Sequence, residues 1–337
     1  SRSLRTMTIM AGLKPFEETS IDDTRLFLQQ RGFDAVSYPG LNPQELNRFN
    51  ILPEPLYNQL FRDILTDPQA AYRSYRYDIR PPTDDHPFFY HFFKWQQTPE
   101  ILATLGLTWQ PFGGSGFFVL VVLLILVTLA AAIFILGPLL VWHRKGLTQP
   151  PAIPFWRGRV FIYFACLGLA FLFVEIPLAQ HFILILGQPV TALAFVLCAL
   201  LLFSGLGSFT VARWPLRLAL AILVLLVAIY PLLLQPITAV ALGLPQWARV
   251  LLVVLSLAPI GYFMGLPFAA GIKVIERHEA ALVPWSWAIN GSFSVISSVL
   301  AVLVALTWGF STVLWLGAAA YTGALFAFGS LANNKTS

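Results

Sequence analysis

Charge is scarce in this chain. Only 11% of its 337 residues are Asp, Glu, Lys or Arg, against roughly a quarter in an ordinary soluble domain, while 57% are hydrophobic. The scarcity is also uneven. Acids and bases crowd into the first hundred residues, and long uncharged runs follow. That excludes one uniform soluble domain and points to a soluble segment joined to a polytopic membrane domain. Cysteine is scarcer still, with Cys166 and Cys198 alone, both inside apolar runs. If their helices turn around Gly187-Gln188-Pro189, the two differ in depth by roughly 18 Å at 1.5 Å per residue. A disulfide is therefore not expected, and both read as small buried hydrophobes. The formal charge of +5 arises in short loops after Gly116. Nucleic-acid binding gains little from it, because loop cations in a membrane protein read as topology signals. The start, "SRSLRTMTIM", has no initiator Met and no signal-peptide pattern, and reads as a beginning within a domain.

The first hundred residues follow α/β grammar. "SLRTMTIM" reads as a strand, residues 21–31 as a helix with Ser20 as N-cap and Gly32 as stop, and residues 33–38 as a strand. "NPQELNRFN" and "PEPLYNQLFRDIL" read as two short helices, the second with Leu56, Leu60 and Phe61 on one face.

From Phe117 the apolar runs reach the length of about 20 residues that a hydrocarbon core requires. Seven are expected, near residues 117–142, 160–186, 190–212, 216–236, 247–272, 284–308 and 312–331. Trp142, Trp156, Trp214, Trp247, Trp285 and Trp308 fall near their ends, as an aromatic belt requires. His143, Arg144, Lys145, Arg157 and Arg159 mark the first loop, Arg213 and Arg217 the third, Lys273 and Arg277 the fifth, and Lys335 the tail. The fourth loop has Arg249 alone at its edge. The loops after spans 1, 3 and 5 and the C-terminus therefore read as cytoplasmic, in an inner cell membrane, with the segment before Phe117 outside.

Two regions carry candidate chemistry. In "TDDHPFFYH", Asp84, Asp85, His86 and His91 are of metal-ligand type, but adjacent aspartates rarely converge on one ion and no distant His or Cys set joins them, so no metal is expected. A structural reading gives Thr83-Asp84-Asp85 capping a turn after Pro81-Pro82, then a two-faced strand from Phe88 to Phe93, with Lys94-Trp95 at an interface. A third reading has Asp84 and Asp85 lining a pocket for a cationic substrate. Inside the apolar region, Glu175 lies near the centre of the second span, where a charge costs at least about 2.5–3.5 kcal/mol. It could pair with Asn290, or join Gln180, Asn290 and Ser294 in an intramembrane polar site. A relay to His181, six positions on, would not share one helix face. Asn290, Ser294, Ser297 and Ser298, with Gly291 for close approach, and Ser204 and Ser208 in "FSGLGS" read as helix-packing stripes. Pro177 and Pro259 interrupt the first helices of two successive three-helix sets, a pattern that suits a transporter's midplane site.

The stretches "GFDAVSYPGLNPQELNRFN", "YDIRPPTDDHPFFYHFFKW", "LGLAFLFVEIPLAQHFILILGQPVTALAFVL", "LLFSGLGS" and "VPWSWAINGSFSVISSVLAVL" resemble the membrane-embedded spermidine synthase-like proteins of bacteria. The resemblance implies an α-helical polytopic membrane domain over residues 113–333. Before it, over residues 1–112, it implies the C-terminal portion of a methyltransferase-like α/β domain. It further implies an aminopropyltransferase-like transferase or a protein handling a polyamine-like cation, with the lipid bilayer and the missing N-terminal part of the same protein as partners. An S-adenosyl cofactor would belong to the full-length protein and not to this segment. The glycine-rich strand-to-helix turn that would hold it is absent, since "PFGGSGFF" precedes a membrane span. A transporter-like protein with a midplane site around Glu175 and Asn290 is the alternative.

Overall fold

A computed structural model of the chain describes residues 7–49, 52–104, 115–142 and 156–332. The chain divides into two compact units. The first comprises residues 1–80 and 92–105, and the second residues 81–91 and 106–337. Residues 81–91 thus leave the first unit and belong to the second.

The first unit is helical. It contains α1 (Glu18–Arg31), α2 (Leu56–Thr66), α3 (Pro68–Ser74) and α4 (Thr98–Thr104), with single 3₁₀ turns at Pro43–Glu45 and Trp95–Gln97. Helix α1 starts earlier than the sequence suggests, with Glu17 and not Ser20 at the N-cap. Its stop is Gly32, whose φ of 64° is the left-handed geometry that glycine adopts without steric cost.

The expected strands do not form among the described residues. Residues 33–38 are extended, but they pair only through isolated bridges, among them Ala35 to Leu46. "SLRTMTIM" lies partly outside the described residues, and its remainder is exposed. Residues 88–93 are turn and coil, with Phe89 and Tyr90 exposed and Phe93 buried. Among the described residues no neighbouring strand offers a ladder, so alternation of side chains alone cannot hold a strand there.

Buried polar side chains tie the loops of this unit together. Asp34 Oδ1 accepts the Phe49 N–H at 2.8 Å, and Asn58 Nδ2 donates to the Val36 carbonyl at 2.6 Å. Lys94 Nζ donates to the carbonyls of Tyr72 and Tyr75, both at 2.6 Å. It therefore closes the end of α3, where a cation meets the negative end of the helix dipole.

The second unit is a helix bundle. Its first helix runs as α5 (Ser115–Ala130), a π-helical stretch (Ala131–Leu136) and α6 (Gly137–Trp142). There follow α7 (Trp156–Leu186), α8 (Pro189–Phe209), α9 (Leu216–Leu242), α10 (Gln246–Glu279), α11 (Val283–Trp308) and α12 (Phe310–Ala332). Among the described residues, six stretches are long and apolar enough to cross a membrane: Gly116–Val141, Trp156–Leu186, Pro189–Phe209, Leu216–Leu242, Gln246–Trp308 and Phe310–Ala327. The fifth of these holds both α10 and α11, divided by a 3₁₀ turn. This is a multi-pass, α-helical membrane protein.

Helix α7 is the centre of the bundle, packing against α8, α11 and α12. Its Tyr163, Phe164, Leu178, Phe182 and Ile185 lie in the main apolar core. Glycine brings two helix pairs to backbone contact. A Cβ on Gly265 would lie 1.9 Å from the Ser204 carbonyl oxygen, and one on Gly207 2.0 Å from that of Tyr262, so α8 and α10 meet with nothing between them. Gly168 of α7 does the same against the Asn290 carbonyl of α11. Gly291 has open space instead, so the close approach expected of it belongs to Gly168. The helices run on through Pro177 and Pro259. Both cysteines are free, and Cys198 is exposed, not buried.

Candidate functional site

The stretch from Pro81 to His91 builds a small cap on the helix bundle. Thr83 and His86 close a turn: each N–H meets the other's carbonyl, and Thr83 Oγ1 accepts the His86 N–H at 3.1 Å. This turn aims Asp85 and His86 at the short connection between α11 and α12. Asp85 Oδ1 accepts both the backbone N–H and the hydroxyl of Ser311, each at 2.7 Å, and its carbonyl accepts the Phe310 N–H at 2.9 Å. A carboxylate at a helix N-terminus satisfies orphan N–H donors and faces the positive end of the dipole. On the other side, His86 Nε2 lies 2.7 Å from the Leu306 carbonyl, in the last turn of α11, and donates to it. Gly309 joins the two helices with φ at 89°, and a Cβ there would come within 2.4 Å of Asp85 Oδ2. Phe88 stacks on Phe310 at 5.5 Å and packs against Phe173, Val304 and Val313. Asp85, read from the sequence as a candidate cation ligand, and His86, read there as of metal-ligand type, are therefore the two caps of one helix hairpin.

Asp84 is exposed beside them. The carboxylates of Asp84 and Asp85 lie within electrostatic reach of the buried His181 imidazole. His181 Nε2 is 2.9 Å from Thr238 Oγ1. Because that hydroxyl gives its proton to the Leu234 carbonyl, the imidazole is the donor.

Glu175 lies six residues before His181 on α7, half-buried, and two residues before Pro177. Among the described residues its carboxylate has no hydrogen bond and no ion pair. Gln180 is exposed. The C-terminal half of α7 therefore carries Glu175, Gln180 and His181 towards the end of the bundle where Asp84 sits.

Asn290 and Ser294 are not part of this group. Asn290 Nδ2 donates to Phe164 O at 3.3 Å, Ser294 Oγ to Gly168 O at 3.2 Å, and Ser297 Oγ to Leu169 O at 2.7 Å. Phe164 precedes Glu175 by three turns, roughly 16 Å along the axis. The pairing of Glu175 with Asn290 does not occur, and the polar stripe of α11 lies on α7 as inter-helix bonding. Ser298 bonds within its own helix, to Val295 O, as Ser204 does to Leu201 O and Ser208 to Gly205 O.

The residues that the sequence reading missed are Thr238 and Ser311. Thr238 is a lone hydroxyl in an apolar run and Ser311 stands beside Thr312 at the start of one, and nothing local marks a partner 57 or 226 positions away. Comparisons with family models, with characterised proteins and with solved structures give no match.

Proposed function

We propose that this chain is a membrane-embedded protein of the spermidine synthase-like kind that holds a polyamine-like cation at the end of the bundle where residues 81–91 dock. The observation that carries this reading is Glu175, a half-buried intramembrane carboxylate with no counter-charge among the described residues. An isolated charge in a span is costly, by about 2.5–3.5 kcal/mol or more, and is normally matched by a partner. An ammonium group reaching in from the exposed side of α7 would supply it. Gln180 would offer a neutral amide near the entrance and Asp84 a second carboxylate for the next ammonium of a linear polyamine. Asp85 is left to its structural bond with Ser311.

The topology belongs to the same proposal. As a single helix the Gln246–Trp308 stretch would be roughly 95 Å long, three times a hydrocarbon core of about 30 Å. That supports two crossings, and seven in all. Arg157, Arg159, Arg213, Arg217, Lys273 and Arg277 then fall at one end, which the positive-inside rule assigns to the cytoplasm. Arg249, the lone cation of the other end, supports the same orientation: its guanidinium is occupied by the carbonyls of Leu242 and Leu244, closing the end of α9.

The first unit fits an incomplete α/β domain. It buries few apolar side chains, chiefly Leu28, Val36, Ala71 and Phe93, and exposes many more, among them Ile9, Met10, Leu13, Phe27 and Leu65. So small a core does not stabilise a unit of this size by itself, and a cofactor-binding part of the same domain is the proposed cover. The described residues of this chain include no glycine-rich turn after a strand, so they do not fit an S-adenosyl group, and transferase chemistry would belong to that other part.

Isothermal titration of spermidine into the detergent-purified chain tests the cation site. Saturable binding is expected, weakened more than tenfold in Glu175→Gln and a few-fold in Asp84→Asn. Equal binding by wild type and Glu175→Gln removes the proposal. The transporter reading draws on the same carboxylate but loses Asn290. Gradient-driven spermidine uptake into proteoliposomes would favour it over simple binding.

A further inference from the structure

We propose that the opposite end of the helix bundle, where α7 and α11 begin, holds the phosphate of an anionic phospholipid. Helices α7 and α11 run parallel in contact, as the bonds from Asn290, Ser294 and Ser297 to successive α7 carbonyls require. Their positive N-terminal ends therefore lie side by side, and no side chain caps α11. The last turns of α10 lie against them. Arg157 Nε donates to Glu279 Oε1 at 2.8 Å, the Trp156 and His278 rings are 5.2 Å apart, and Trp285 lies 6.4 Å from Phe161.

The second observation is independent of helix dipoles. Trp156, the first residue of α7, and Trp285, in the first turn of α11, are 3% and 4% exposed, unlike the exposed Trp247 and Trp308 at the bundle's other end. Neither buried indole N–H has a hydrogen-bond partner among the described residues. An indole nitrogen only donates, so what is missing at both is an acceptor. The surrounding charge selects the acceptor's sign. Lys273 and Arg277 stand beside Glu276, and Glu279 is taken up by Arg157. Donors and cations together suit a phosphodiester, and a position at the end of membrane helices suits one carried by a lipid. Lys273 and Arg277 are exposed on the same helix end, one turn apart, where a headgroup reaches them.

Native mass spectrometry of the full chain, delipidated in detergent and offered phosphatidylglycerol or phosphatidylcholine, tests this. Phosphatidylglycerol is expected to be retained preferentially. Lys273→Gln with Arg277→Gln should weaken that preference about fivefold per residue, the equivalent of about 1 kcal/mol for each cation near a membrane surface. Those exposed sites leave the fold intact. Trp285→Phe, which keeps a ring but removes the N–H, should shorten retention further without restoring phosphatidylcholine. Equal retention of the two lipids by wild type overturns the proposal. So does an unchanged preference in the double variant, or millimolar inorganic phosphate competing as well as the lipid does.

Discussion

Asp85 and Ser311 are 226 positions apart, yet one carboxylate oxygen takes two hydrogen bonds from that serine. Loss of an N-cap costs about 1–2 kcal/mol. Asp85→Ala is therefore expected to lower the thermal stability of the detergent-solubilised protein by about that amount, while exposed Asp84→Ala leaves it unchanged. Melting curves followed by circular dichroism read the difference, and equal effects of the two would contradict the cap. Asp78 gives the pH counterpart in the first unit. Burial acts to raise its pKa, but the Arg80 guanidinium, bonded to both carboxylate oxygens at 2.9 and 2.6 Å, holds it below the ordinary aspartate range. A depressed folded-state pKa contributes stability that is present above the ordinary range and lost as pH falls through the folded value. With Arg80 largely exposed, the contribution is under about 1 kcal/mol. Hydrogen-exchange protection over residues 71–100, corrected for the intrinsic pH dependence of exchange, should fall on acidification, and Asp78→Asn should flatten that dependence.

At the scale of elements, backbone contact between helices decides the packing of the bundle. Ser204 and Ser208 looked like the adhesive face of α8, but their hydroxyls turn back on their own helix, and what fits α8 to α10 is the missing Cβ of Gly265 and Gly207. A side chain at either glycine must move a helix. Gly265→Val is therefore expected to abolish the folded, monodisperse species in size-exclusion chromatography, whereas Gly205→Ala, in open space, should be silent. Inter-helix hydrogen bonds contribute less. Asn290→Ala should cost only about 0.6 kcal/mol, the usual value for such bonds in membrane helices. The same contrast explains the misread strands. Alternating aromatics at residues 88–93 satisfied a periodicity, but a strand exists only where another pairs with it, and that pairing is non-local.

On the scale of the whole molecule, the chain passes from the first unit into the second at residue 81 and back at residue 92, so the cap on α11 and α12 is formed by residues embedded in the sequence of the first unit. Orientation can be tested there. With Cys166 and Cys198 changed to Ser, single cysteines at exposed Phe89 and Arg277 are expected to react with a membrane-impermeant thiol reagent from opposite sides of sealed vesicles, Phe89 from the outside. Labelling of both from one side would refute the proposed topology.

The apolar runs by themselves determined the membrane helices and, to within seven residues at their ends, where they lie, because backbone in hydrocarbon has no alternative but to bond within its own helix. Gly32 as a helix stop was equally local. The tertiary structure decided the partners. It gave Asp85 and His86 to the α11–α12 connection, separated Glu175 from Asn290 by three turns, and left two buried indole donors unmatched. None of these follows from spacing along the chain. A polar side chain in an apolar run declares only that it needs a partner, and which one it meets depends on the close approach of helices far apart in sequence.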